Sequence, residues 1–337
     1  MQILLIGNFN EENTKLVNGQ TLKSDLIYKT LTEIREYEVK KINTNILKED
    51  IFKLLPLLRK SNKIIVMLGQ NGMKYLFPIL YILTKIFKKE LYYIVIGGWL
   101  PNYLKKNILL KKLLKHIKKI LIESDGLKQE LQTIGIMNTE ILYNFRDEDS
   151  FLIEKNTNSG DNKKYFKTVF LSRVIKEKGI YDLIEVIKEL NKIKKNINLD
   201  IYGPVEEKEK LMIKLDENIK YKGILEQKDI YLTLSKYDLM VFPTYYEGEG
   251  QAGVIIEAIL SKLPVLASDW RFNTEFIKDN ETGFLYKTKN NIELRKKIEY
   301  LMKNKKDLER IKVNLVKERE KFTKENFIKK IKKVLTE

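Results

Sequence analysis

The chain has 337 residues, 43% of them hydrophobic, which is enough for two domains with cores of their own. It contains no cysteine, which excludes disulfides and thiolate metal sites and fits a reducing compartment. A formal net charge of +17 allows an anionic partner: nucleic acid, anionic lipid or a phosphorylated ligand. The first seven residues, Met-Gln-Ile-Leu-Leu-Ile-Gly, lack a basic segment and run straight into a strand-like pattern, so no signal peptide is expected. Residues 2–6 predict a buried strand, 7–20 a long polar loop holding Asn18-Gly19-Gln20, and 21–31 a helix. Strands follow at 37–42, 64–68, 91–96, 120–123 and 140–143, separated by helices at 46–58, 73–87, 101–116 and 126–134. The strand at 91–96 ends in Gly97-Gly98-Trp99. The longest apolar stretch, 75–83, is too short to cross a bilayer and contains Pro78. Such alternation predicts a doubly wound parallel sheet.

Residues 146–164 break the alternation with a polar run, and 147–164 read as a linker between domains at 1–146 and 165–320. The pattern then restarts. Strands are expected at 169–172, 198–202, 219–222, 239–242, 264–267 and 283–286. Helices are expected at 180–192, 206–215, 228–235, 252–261, 274–277, 292–303, 306–319 and 325–335.

The stretch 241–269 organises the second half. A buried strand runs into a glycine-rich turn, Gly248–Gly253, then a helix, then another strand, which is the βαβ unit of a parallel sheet. Glycines admit close backbone approach, and a helix start offers unpaired N–H groups to an anion. Glu249 lies in the turn and Glu257 in the helix, eight positions on, so both can reach one crevice outside the strand ends. Glu247 is a rival to Glu249 two residues earlier. Arg173 follows the first strand of the second domain and Lys178 precedes its helix. Two fixed cations there suit a diphosphate, the guanidinium binding bidentately and the ammonium as a point charge. Arginine is scarce in this chain, which makes Arg173 the more informative of the two.

Together these residues resemble the family 4 retaining glycosyltransferases, whose fold is GT-B: α/β, with two Rossmann-like doubly wound domains facing a cleft. The family's E-x7-E motif matches Glu249 to Glu257, and its Arg-x4-Lys-Gly motif matches Arg173 to Lys178-Gly179. Tyr202-Gly203, Gly223 and Thr282-Gly283-Phe284-Leu285 fit as well, over about 167–286. Asn18-Gly19-Gln20-Thr21 and Gly97-Gly98-Trp99-Leu100-Pro101 look like segments of members that build bacterial surface polysaccharides.

The resemblance implies transfer of a sugar, with retention, from a nucleoside-diphosphate sugar to a hydroxyl of a glycan or polyprenyl-diphosphate-linked saccharide. Arg173 and Lys178 would hold the diphosphate, Glu257 the ribose and Glu249 the sugar. Gly250, Gln251, Ala252, Gly253 and Val254 would line the sugar and phosphates, Gly223 and Ile224 would meet the base, and Gly19 would let the first domain approach the phosphates. The terminal helix, within 321–337, should return to the first domain. Gln251 stands where many members have Phe, which implies a more polar sugar pocket. The first-domain histidine of many members has no counterpart, since the sole histidine is His116, late in a lysine-rich helix and read as structural.

No cofactor or metal is expected. Arg173 and Lys178 supply the counter-charge a metal would give. The one Asp-x-Asp sequence, Asp147-Glu148-Asp149, falls in the linker and reads as solvated. Two other functions compete. A nucleotide-sugar epimerase on this fold wants more titratable groups than one remote histidine. A basic lipid- or nucleic-acid-binding module would use the aromatic–basic mixing at Trp270-Arg271-Phe272, but no nucleic-acid motif is present and nucleic acid is not an expected partner.

Residues 101–120 hold seven lysines and no acid. Read as one helix, they put Tyr103, Leu109, Leu110, Leu113, Leu114 and Ile117 on a buried face. Lys105, Lys111, Lys112 and Lys115 lie opposite, with Leu104 and Ile108 projecting among them. That face predicts peripheral association with an anionic membrane, and with the resemblance it implies a cytoplasmic protein at the inner face of the cell membrane.

Overall fold

The computed structural model describes residues 1–10, 19–147, 165–193 and 196–337. The expected linker, 147–164, lies outside the described residues except for Asp147, as does Asn18. The chain divides into two compact units, Met1–Asn144 with Lys324–Glu337, and Phe145–Thr323.

In unit 1 the strands are β1 (Gln2–Gly7), β2 (Glu38–Asn43), β3 (Lys63–Met67), β4 (Glu90–Ile94), β5 (Lys119–Ile122) and β6 (Thr139–Ile141). They form a parallel sheet in the order β2-β1-β3-β4-β5-β6, so the direction of winding reverses between β1 and β3. Continuous apolar runs such as Ile3–Ile6 and Ile64–Met67 are buried, as befits strands covered on both faces. The helices are α1 (Gly19–Thr32), α2 (Leu47–Lys60), α3 (Gln70–Ile86), α4 (Leu100–Lys106), α5 (Ile108–Lys115) and α6 (Asp125–Thr133).

In unit 2 the strands are β7 (Phe166–Leu171), β8 (Ile197–Tyr202), β9 (Ile219–Gly223), β10 (Leu239–Phe242), β11 (Val265–Ser268) and β12 (Phe284–Tyr286). Their order is β12-β11-β10-β7-β8-β9, all parallel, and winding reverses between β7 and β10. The helices are α7 (Ile180–Lys192), α8 (Lys208–Met212), α9 (Ile230–Leu234), α10 (Gly253–Leu260), α11 (Asn273–Phe276), α12 (Asn291–Lys303) and α13 (Lys305–Glu318). The last helix, α14 (Lys324–Thr336), belongs to unit 1. Its buried face is Phe327, Ile331, Val334 and Leu335, and its rim pairs Lys324 with Glu33 and Lys332 with Glu36.

Three expectations change. Phe145 and Arg146 group with unit 2 rather than with the first domain, because the Arg146 N–H donates to the Phe322 carbonyl at 3.0 Å beside the point where the chain returns. The helix expected over 206–215 shortens to α8. The lysine-rich segment 101–116 is two helices, not one. Asn107 leaves the helical region (φ −129°, ψ 77°) and its side-chain amide donates to the Tyr103 carbonyl at 2.7 Å, which stops α4 and resets the phase. Leu104 is therefore fully buried instead of projecting among lysines, and Leu109 is exposed beside Ile108. Lys105, Lys112 and Lys115 are exposed as expected. Among the described residues no helix is long and apolar enough to cross a membrane.

Since Ile331 is fully buried on α14, Ile331→Ala is expected to destabilise the protein by about 2–5 kcal/mol, the range for truncating a core isoleucine. Urea unfolding followed by circular dichroism measures it; an unchanged midpoint would mean that α14 adds nothing to the unit 1 core.

Candidate functional site

In a doubly wound sheet, the loops leaving two strands on either side of a winding reversal diverge and leave a crevice at the strands' C-terminal ends. In unit 2 those strands are β7 and β10. β7 leads into Ser172-Arg173 and a 3-10 turn, Lys176–Lys178, that ends at Gly179. β10 leads into Pro243-Thr244-Tyr245-Tyr246 and the glycine loop before α10.

Two glycines bring the exits together. Gly179 has φ +73°, and a Cβ there would lie 2.1 Å from the Pro243 carbonyl oxygen, so only glycine lets the lysine turn seat on the β10 loop. Gly203, ending β8 with φ +132°, would put a Cβ 1.8 Å from the Ser172 oxygen. The Tyr245 N–H donates to the Glu177 carbonyl at 2.8 Å and completes the seam.

Lys178 is 6% exposed and Glu249 is 8% exposed, and they pair at 2.5 Å. The same carboxylate oxygen, Glu249 Oε2, accepts from the buried Thr244 hydroxyl at 3.0 Å. The Thr244 carbonyl in turn accepts from Ser268, the last residue of β11. Tyr246 lies beside both cations: Arg173 Cζ and Lys178 Nζ are each 5.0 Å from its ring centroid. The Tyr246 carbonyl accepts from the Trp270 indole at 2.8 Å. Arg173 is more open than Lys178, and its guanidinium lies 3.9 Å from the Glu206 carboxylate. The structure thus gathers Arg173, Lys178 and Glu249 around one aromatic ring. Glu247, the rival carboxylate, is exposed.

Glu257 lies on α10 and is buried. Its Oε1 accepts from Arg146 Nη2 at 2.8 Å and from Nε at 3.2 Å. Arg146 Nη2 occupies the space a Cβ on Gly253 would need, 2.6 Å from its ideal position. Glycine at the start of α10 therefore makes room for a guanidinium. Tyr231 is buried beside the pair; burial raises its hydroxyl pKa, the Arg146 charge lowers it and the Glu257 charge raises it further. Gly250, Gln251 and Ala252 are buried, whereas Gly253 and Val254, the first residues of α10, are partly exposed.

Gly223 ends β9 with φ +84°, which calls for glycine, and Ile224 beside it is largely exposed although apolar. Gly19 starts α1 in unit 1, where a Cβ would meet nothing within 4 Å, so packing alone does not require glycine there. His116 is exposed at the end of α5, before β5 begins, and so lies away from the C-terminal ends of the strands. At those ends in unit 1, Lys23 pairs with buried Glu123 and donates to the Val95 carbonyl at 3.0 Å, one on either side of the β4 and β5 exits. Trp99 packs edge-on against Tyr103 and donates to the Ile96 carbonyl at 2.7 Å. Among the described residues no group of three or more His, Asp or Glu is arranged to hold a metal ion.

Sequence reasoning missed Arg146, Thr244 and Tyr246. Arg146 is one of eight arginines among 63 basic residues, so the scarcity that singles out Arg173 applied to it equally. Tyr246 stands just before the Glu-Gly-Glu turn, within the stretch already singled out.

Residues 153–318 match the family model described as glycosyl transferases group 1. A poly(ribitol-phosphate) alpha-N-acetylglucosaminyltransferase of Staphylococcus aureus is 32% identical over 175 residues, 49% of this chain and 35% of that protein. The GtfA subunit of a UDP-N-acetylglucosamine–peptide N-acetylglucosaminyltransferase from Streptococcus pneumoniae is 32% identical over 139 residues, 40% of this chain and 27% of that one. The matches therefore span about a third of these relatives' own lengths. Among solved structures, Anabaena Alr3699/HepE in complex with UDP-glucose superposes with a TM-score of 0.78 at 17% identity, over 100% of this chain and 99% of that one. The fold is GT-B, with two parallel six-stranded α/β units.

The Arg146–Glu257 pair is open to a direct measurement. Arg146→Met leaves the Glu257 carboxylate buried without its cation and is expected to cost about 3–5 kcal/mol, much of it regained in Arg146→Met/Glu257→Leu. A double variant no more stable than the single one, by urea unfolding, would mean that the two side chains are not coupled.

Proposed function

We propose that the chain is a retaining glycosyltransferase. It moves a sugar from a nucleoside-diphosphate sugar to a hydroxyl of a glycan or lipid-linked glycan acceptor, without a metal ion. One observation carries the reading: Arg173 and Lys178 flank the same Tyr246 ring beside Glu249, at the winding reversal of a unit that matches the glycosyl transferases group 1 model. Two cations over a crevice suit a diphosphate leaving group. Its departure develops negative charge, and preorganised cations stabilise that charge more in the transition state than in the ground state.

On this reading the buried Lys178–Glu249 pair keeps both side chains aimed until the donor's phosphates add a second anion for Lys178. Glu249 then faces the transferred sugar, and Glu257, its other oxygen edge steered by Arg146, accepts from the ribose hydroxyls. Gly250–Val254 bring backbone N–H groups to the sugar and phosphates, while Gly223 and exposed Ile224 offer a turn and an apolar surface to the base. Gly19 and the rest of unit 1 serve the acceptor side. The HepE complex and the GtfA name make a UDP-sugar the first donor to test.

The test has two parts. A thermal-shift comparison of UDP-, GDP- and ADP-sugars identifies the donor, since binding to the native state raises its apparent stability. Proton NMR of the product on a simple glycan acceptor then reads the anomeric configuration; retention is expected, and inversion would overturn the retaining assignment.

Arg173→Ala and Lys178→Ala are each expected to lower kcat/KM by on the order of 100-fold or more, the size of losing a charge partner in the transition state. Glu257→Ala should act mainly on the donor KM and Glu249→Ala mainly on kcat. Near wild-type kinetics in both cation variants would reject the diphosphate assignment. Turnover in excess EDTA should match that without chelator; loss restored by Mg²⁺ or Mn²⁺ would show that the reaction needs a metal.

A further inference from the structure

A helix lying on a sheet normally turns its apolar stripe inward and shows polar side chains to water. α3 does both and more. It buries Met73, Leu76, Phe77 and Leu80, yet Tyr75, Ile79, Ile82 and Ile86 are 64, 54, 57 and 64% exposed. Their spacing of four, three and four residues puts them on one outward line. α5 packs alongside α3 and adds Ile108 and Leu109, 67 and 63% exposed. Six large apolar side chains on these two packed helices are thus each more than half exposed.

The charge along this part of the chain is almost all of one sign. Residues 70–119 contain eleven lysines and a single acid, Glu90, which is already held by Lys63 and Lys118. Lys74, Lys85, Lys105, Lys112 and Lys115 are exposed on α3, α4 and α5. Where the C-terminal ends of α3 and α5 meet the start of β4, Lys85, Lys89, His116 and Lys118, with Glu90, line a cavity of about 210 Å³.

We propose that unit 1 docks on an anionic lipid bilayer through α3 and α5, with the Tyr75–Ile86 line entering the headgroup layer and the lysines meeting lipid phosphates. Only such a surface satisfies both observations together. A second copy of this face would bring lysines against lysines. A nucleic acid would answer the charge but leave the apolar line in water. A bilayer interface offers anionic groups outside and hydrocarbon just beneath. The surface lies outside unit 2 and does not depend on the donor reading.

The experiment is co-sedimentation of the full chain with vesicles of phosphatidylcholine alone or with about one-third phosphatidylglycerol. Binding to the anionic vesicles is expected to be at least roughly tenfold tighter than to neutral ones and to weaken as salt rises. Ile79→Glu/Ile82→Glu and Lys85→Glu/Lys112→Glu should each reduce it by roughly tenfold or more. Lys305→Glu/Lys306→Glu, an equal charge change on α13 of unit 2, should leave it within about twofold, and the donor's thermal shift should be the same in all three. The proposal is overturned if the isoleucine variant binds like wild type, or if the α13 variant loses as much as the Lys85/Lys112 one. It is also overturned if the isoleucine change instead abolishes self-association seen in sedimentation equilibrium, or weakens binding to duplex DNA as much as to vesicles.

Discussion

A lysine and a glutamate removed from water are costly to bury unless they face one another, and unit 2 is assembled around one such pair. Lys178 arrives from the turn after β7, and Glu249 from the loop after β10. Thr244 adds a hydroxyl to the same Glu249 oxygen and is itself held through its carbonyl by Ser268 of β11. The exits of three neighbouring strands are thus tied to one carboxylate oxygen at the winding reversal. The pair does two things at once. It makes burial of the lysine tolerable, and it holds an ammonium where Arg173 and the Tyr246 ring already create a positive, aromatic-walled spot. On the proposed reading stability and anion binding share the same atoms here, so substitutions in this pair change both.

How much of this was legible depends on how local each cause is. The strand–helix alternation and both α/β units follow from apolar runs and periodicity within short windows, which a sequence displays directly. The Arg173–Lys178-Gly179 spacing is legible for a related reason: Gly179 must sit against the Pro243 oxygen, so the turn length from β7 is set by sterics, and Lys178 falls where that turn delivers it. Arg146 is different. Its partner is 111 residues away, and the space for its guanidinium is a missing Cβ on Gly253. From sequence, that glycine reads as a ligand contact; in the structure it also accommodates a buried side chain of the same unit. Nothing local to Asn-Phe-Arg-Asp announces either fact.

The lysine-rich segment of unit 1 failed in another way. A helical wheel over 101–116 assumes one unbroken phase, and Asn107 interrupts it. Its amide caps α4 on the Tyr103 carbonyl, as asparagine does when it competes with the backbone ladder. Leu104 turns into the core and Leu109 out of it. The exposed line on α3 was hidden for the opposite reason. α3 is apolar on nearly every side, so the sequence shows a buried helix, and only packing against one face reveals that four of its apolar side chains stay more than half exposed.

The net charge of +17 therefore divides into two kinds of cation with different physics. Lys178 is buried within hydrogen-bonding distance of a fixed carboxylate, where salt screens little and geometry decides everything. The lysines of α3 to α5 are mostly exposed, and each contributes little alone. They act as a sum over a surface, and that sum fades once the Debye length, about 8 Å at physiological ionic strength, falls below their spacing from the partner. The proposed roles, one small anion held in register and a broad anionic surface met by many lysines, call for both kinds. Reading the charge as a single number, as composition does, merges a built site with a diffuse field. Burial and pairing, residue by residue, are what separate them.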